Sequence, residues 1–268
     1  MFIKLDKFTL ALQEDQSLGG KALGAEANPP DSGLAFDDQV RRYLKAAVRR
    51  HDVKARRNRT LASVLQEWTE VGYTKGQVAS IANRAGMSTA TLYKQFPEKT
   101  VLYCEALKFG NSILLDALAT YSEHPNPIRD LTALLCNYAK TVSQPAPQQM
   151  LLAQSIMLQE PEFRADVSAI ASENHIKIKQ IWYAKIQNLA DAGWVRLDQH
   201  EWQGCHAEGA FEIQSVPWFK MGPLASAPDG NWQADAQKVV CDLFKLYGTE
   251  KFNKQKVLSN SDFDLAAF

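Results

Sequence analysis

Two short helical signals joined by one glycine turn, over Gln77–Phe96, constrain this chain more than any other stretch. Val78, Ile81, Ala82 and Ala85 recur at three- and four-residue spacing, the period of a single helix face. Gly86 follows and permits the positive φ of a sharp turn. Ser88 is a good N-cap for a second helix, which carries Leu92 and Phe96 and stops at Pro97. The small Ala82 lets the two helices approach closely, so Ile81, Ala85, Leu92 and Phe96 bury one shared core. That leaves Thr89, Ala90, Thr91, Tyr93, Lys94 and Gln95 facing outward on the second helix. A helix fits the DNA major groove. Hydroxyls and amides there read base edges or grip phosphate, Ala90 can meet a thymine methyl, and Lys94 can reach guanine or phosphate. For Tyr93 the plain alternative is a packing aromatic; for Leu92 and Phe96 packing is the preferred reading.

Charge points the same way. The formal net charge of the 268 residues is zero, but Arg41–Gly110 holds fourteen Lys and Arg against five Asp and Glu. A basic segment on an acidic body suits a protein with one polyanion-binding face, because phosphate neutralisation needs clustered cations. A solvated charged face is the alternative on charge alone.

Around this unit the residues resemble a known family. Gly72-Tyr73, Val78-x-x-Ile81-Ala82, Ala85-Gly86-Met87-Ser88, Thr91-Leu92-Tyr93 and Phe96-Pro97-x-Lys99 together resemble the DNA-binding domain of the TetR family of bacterial repressors, over about Arg59–Lys108. The resemblance implies phosphate contacts from Tyr93 and Lys99, and base and backbone contacts from Thr89, Ala90, Lys94 and Gln95. Gln77 stands where the family usually places a capping Thr or Ser, and Gln is the weaker cap. With Ser88 and Thr91, these nine are the candidate DNA-binding residues. The expected activity is that of a ligand-responsive repressor binding a palindromic operator as a homodimer. An architectural DNA binder without an effector is the competing reading.

The expected fold is all-α, a three-helix DNA-binding head followed by a helical regulatory and dimerisation domain. Residues 1–36 read as a loose leader, 37–52 as a basic amphipathic helical extension, 53–110 as the head, 111–248 as the regulatory domain and 249–268 as a loose tail. The extension carries Val40, Tyr43, Leu44, Ala47 and Val48 on one face and Arg41, Arg42, Lys45, Arg49 and Arg50 on the other, and reads as a short helix, with continuation through Lys54, Arg56, Arg57 and Arg59 into the head's first helix as the open alternative. Beyond the head, helices are expected near Lys99–Thr120, Pro127–Val142, Pro147–Leu158, Glu162–Asp191, Gln199–Ser215 and Asn231–Tyr247, with a break at Pro145-Ala146-Pro147. The resemblance assigns the last two to a dimer interface, a four-helix bundle across a two-fold axis.

A small-molecule pocket is expected among the middle helices. Phe109, Ile113, Tyr138 and Met150 are candidates for its wall, with Gln154, Met157, Trp182 and Tyr183. Each also reads as ordinary core. Cys104, Cys136, Cys205 and Cys241 lie far apart, which argues against a disulfide framework or zinc site and for a reducing cytoplasm. His200, Glu201, Cys205, His206 and Glu208 fit no defined metal-ligand spacing. No nucleophile elbow, phosphate loop or cofactor motif occurs, so the chain is expected to bind rather than catalyse, without a cofactor.

Overall fold

The structure, a computed structural model, describes residues 35–46, 52–196 and 240–251, apart from 242 and 246. Among the described residues are eight helices: α1 (Phe36–Lys45), α2 (Val53–Val71), α3 (Val78–Ala85), α4 (Thr89–Gln95), α5 (Lys99–Ala119), α6 (Pro127–Val142), α7 (Pro145–Met157) and α8 (Pro161–Asp191). Among the described residues the sole strand-like pairing is an isolated antiparallel bridge between Val195 and Gly248. Val240, Leu243 and Phe244, at helical positions, share a core with α8.

Local chemistry sets the helix starts. Asp52 accepts the Ala55 N–H at 2.8 Å and opens α2. Asn126 accepts from Ile128 and Arg129, with Pro127 following at the first helical position of α6. These boundaries decide one open alternative and correct one expectation. The basic extension does not run on into α2: Ala46 leaves helical geometry at φ −57°, ψ 131°, and α2 restarts under its own Asp52 cap. Pro145-Ala146-Pro147 is the first turn of α7 rather than a break before it, because a proline in that turn lacks only an N–H that has no intrahelical acceptor.

Among the described residues two hydrophobic cores hold the helices. The first joins Phe36 and Val40 of α1, Leu61, Val64, Leu65 and Trp68 of α2, Ile81 of α3 and Leu92 of α4 to Leu107, Ile113 and Leu114 of α5, Met150 of α7 and Val167 of α8. α5 passes position 110 without interruption, so the head and the helices behind it share this core. Gly110 is needed there: a Cβ would overlap the Met150 thioether and press on Leu65. The second core gathers Ile128, Leu131 and Leu135 of α6, Trp182, Ile186 and Leu189 of α8, and Val240, Leu243 and Phe244. The expected helix Gln199–Ser215 and most of Asn231–Tyr247 lie outside the described residues, as do the tail after Lys251, the leader through Gly33 and Leu34, and the His200–Glu208 cluster. Among the described residues no helix is long and apolar enough to cross a membrane.

Candidate nucleic-acid interface

The seven-residue helix α4 stands on α3 as the glycine turn dictates. Gly86 adopts φ 75°, ψ 35°, the left-handed region open to glycine at little cost, and its N–H returns to the carbonyls of Ala82 and Asn83. Ser88 then caps α4: its Oγ accepts the Thr91 N–H at 3.1 Å and lies 2.9 Å from the Thr91 hydroxyl. Leu92 and Phe96 are fully buried with Ile81, Ala82 and Ala85. Ser88, Thr89, Ala90, Thr91, Tyr93 and Lys94 are exposed, and Tyr93 keeps 43% of its surface open despite its ring. Gln95 is half-buried, its Oε1 without a partner among the described residues.

Gln77, exposed ahead of α3, makes no side-chain capping bond. A residue that the sequence pattern did not single out does that work. Glu67 of α2, 3% exposed, accepts the Gln77 N–H at 3.2 Å and the Ser80 hydroxyl at 2.6 Å, and pairs with Arg84 at 3.5 Å. Arg84 also bonds Glu70, whose carboxyl is held below its usual range by the bonds from Gln66 and Arg84. A glutamate one residue before Trp68, on an otherwise apolar helix face, was the available signal. Arg57 is also turned inward, 4.8 Å above the Phe96 ring and 2.6 Å from Glu105. Burial pushes the Glu105 carboxyl up, and the bonds from Lys108 and Arg57 outweigh it to hold it low.

Lys99, exposed at the start of α5, has its ammonium 5.0 Å from the Tyr103 ring centroid and 5.8 Å from that of Tyr73. The Tyr73 hydroxyl donates to Glu160 at 2.7 Å, just ahead of α8, and Tyr103, whose phenol burial pushes up to about 12, stacks on Phe163 at 6.4 Å. Thus Lys99 borders the same end of the molecule as α4 and is braced by aromatic side chains that reach α8.

The eight expected pocket residues are spread over the two cores, with Tyr138 packed against both. Ile113, Met150 and Met157 are buried in the first core, with Phe109 packed against it and 5.1 Å from the Tyr43 ring. Trp182 belongs to the second core and meets Tyr138 edge-on at 5.5 Å. Gln154 and Tyr183 are half-buried.

An outward helix carrying hydroxyl, amide and cationic groups, set by a glycine turn on a buried partner helix, defines a helix-turn-helix head. Residues 61–106 match the family model of the bacterial regulatory proteins of the tetR family. Nucleoid occlusion factor SlmA of Haemophilus influenzae, in two strains, is 25% identical over 126 residues; the match covers 45% of this chain and 57% of that protein, so the chain spans little over half the length of these relatives. Among solved structures, a TetR transcriptional regulator from Agrobacterium tumefaciens superposes with a TM-score of 0.61 at 20% identity, covering 75% of this chain and 98% of the other. A transcriptional regulator from Rhodococcus sp. Rha1 does so with a TM-score of 0.55 at 15% identity, covering 72% and 98%. At these identities the two structures establish a shared fold.

Proposed function

We propose that this chain is a sequence-specific DNA-binding transcriptional regulator, a homodimer that binds a palindromic operator and represses transcription until a small molecule releases it. The observation that carries this reading is α4: a capped helix with Leu92 alone buried and Thr89, Ala90, Thr91, Tyr93 and Lys94 presented to solvent. Inserted in a major groove, Lys94 and the hydroxyls meet base edges or phosphates, while Tyr93 and Lys99 hold the backbone on either side. Paired half-sites require two such helices about 34 Å apart, which a two-fold dimer supplies.

Release follows as a population shift: an effector that binds better to a state with wrongly spaced recognition helices lowers operator affinity. A coupling of about 1–3 kcal/mol suffices for useful regulation. Phe109, Ile113, Tyr138, Met150, Gln154, Met157, Trp182 and Tyr183 remain the expected surroundings of that effector, now divided between two cores.

A second reading, an architectural DNA binder without an effector, draws support from the name of the nucleoid occlusion factors that share part of this sequence. Titrating labelled duplex DNA across a salt series tests both. A regulator gives strong preference for one sequence, and Lys94→Ala flattens the slope of log affinity against log salt by about 0.9 for each phosphate the protein no longer neutralises. A steep slope with no sequence preference supports the architectural reading. No binding at low salt refutes both.

A further inference from the structure

Asn111 lies in the middle of α5 with 4% of its surface exposed, and neither its Oδ1 nor its Nδ2 has a hydrogen-bond partner among the described residues. On α8 the Oδ1 of Asn174 is likewise buried and unpartnered among them. The register of the two helices brings these amides to nearly the same level. Tyr103 stacks on Phe163, Asp166 acts electrostatically on Cys104, and Lys108 interacts with both Asp166 and Glu173. α5 and α8 therefore run side by side in the same direction. Counted from the Tyr103–Phe163 pair at 1.5 Å per residue, Asn111 is about 12 Å along its helix and Asn174 about 16 Å along its own, less than one turn apart. Asn174 extends the stripe Phe163, Val167 and Ile170, which is buried in the same core as Leu107 and Leu114, the neighbours of Asn111 one turn either way.

A buried amide without partners costs stability, whereas a leucine of similar size would fill the same space without that cost. One such amide at Asn111, with a half-buried second at Asn174 whose Oδ1 alone lacks a partner among the described residues, on one otherwise apolar seam forms the local inconsistency expected where function overrides packing. We infer that Asn111 and Asn174 hold the polar group of a small-molecule effector that enters between α5 and α8. The inference deepens the regulator reading and rests on it for its consequence at DNA. Lys108, Asp166 and Glu173 are all exposed at the rim, so among the described residues no charge on these two helices lies within the seam to compensate an ionic ligand. The ligand class is therefore uncharged: an apolar body lying along Leu107, Leu114, Val167 and Ile170, with a head that both donates and accepts, as a carboxamide does. Because α5 begins at Lys99, parting the seam moves a helix whose first turn belongs to the DNA interface.

Thermal unfolding of the full chain, without DNA, tests the site with three eight-carbon probes: octanamide, octanoate and octylamine. Octanamide is expected to raise the midpoint by roughly 3 °C or more, as binding to the native state alone requires, and the two charged probes to leave it in place. Asn111→Leu and Asn174→Leu are expected to fold with a midpoint at or above that of the unchanged protein and to abolish the octanamide shift. The proposal is overturned if octanamide leaves the midpoint unmoved, if both leucine variants keep the shift, or if Asn111→Leu lowers the ligand-free midpoint, which would mean the amide is already satisfied. Operator binding measured separately on the unchanged protein tells the two failures apart: intact DNA binding with no octanamide shift removes the site alone, and absent DNA binding removes the regulator reading alone.

Discussion

Asp37 and Gln144 each close the other's helix. The Gln144 Oε1 accepts the Asp37 N–H at 3.1 Å, and the Asp37 Oδ1 accepts the N–H of Ala146, in the first turn of α7, at 3.2 Å. Neither helix has a cap of its own: Ala35 precedes α1 with no side-chain acceptor, and Gln144 makes no capping bond to α7. A helix lying before the family match is thereby fastened to the helices behind the head. Asp37→Ala and Gln144→Ala should each lower stability by about 1 kcal/mol, the usual worth of a helix cap. The double variant should fall short of the sum by about 0.5 kcal/mol, because the two bonds hold one junction. Urea unfolding of all four proteins checks this.

Asp37 also carries a pH signature. Its carboxyl is raised above the usual aspartate value, chiefly by burial, against the opposing bond from Ala146 and the charge of Arg41. A raised carboxyl binds its proton more tightly folded than unfolded, so its contribution is fully present below the unfolded pKa and disappears as pH rises through the folded one. Asp37→Asn keeps an acceptor for Ala146 and removes the charge. It should be at least as stable as the unchanged protein at neutral pH, with any advantage vanishing below about pH 3.8, the ordinary value of an aspartate carboxyl. Thermal midpoints from pH 3 to 7 read it directly.

Glu67 organises the turn between α2 and α3. Glu67→Ala would strand the Ser80 hydroxyl, the Gln77 N–H and one side of Arg84, and should cost about 2 kcal/mol. Glu67→Gln retains an acceptor and should cost less. Chemical denaturation followed by tryptophan fluorescence suits the comparison, since Trp68 is fully buried beside Glu67.

Gly110 and Met150 should prove coupled. Gly110→Ala gains helix propensity but overlaps the Met150 thioether, and the overlap should win, for a net destabilisation of about 1 kcal/mol. In a Met150→Ala background the same change should become neutral or stabilising. Equal effects in both backgrounds would contradict the close approach of α5 and α7.

Much of the head was legible because its signals are local. Gly86, Ser88, Leu92 and Phe96 each act within one turn of themselves, and the structure gives each the place its chemistry predicts. What could not be read depends on partners distant in sequence. The Pro145-Ala146-Pro147 stretch reads as a break until Asp37, over a hundred residues earlier, supplies an acceptor to Ala146. Glu67 gains its role only when Ser80 and Arg84 are folded against it. Whether the basic extension continues stays open in the sequence because arginine and lysine fit a helix anywhere, and only the backbone of Ala46 ends it. The pocket candidates follow from helical spacing, which marks core and cavity alike, and Asn111 escapes notice because one polar residue in an apolar helix carries no periodic signal.

The central claim is that α4 reads base edges. Selection of bound sequences from random duplex DNA, run in parallel with the unchanged protein and with Lys94→Ala, measures this most directly. The expected result is an enriched inverted repeat whose half-site centres lie about one helical turn or a small multiple apart, with one base preference per half-site weakened by the substitution. Recovery of unenriched DNA by the unchanged protein, or an enriched site indifferent to every substitution on Thr89–Lys94, would contradict it.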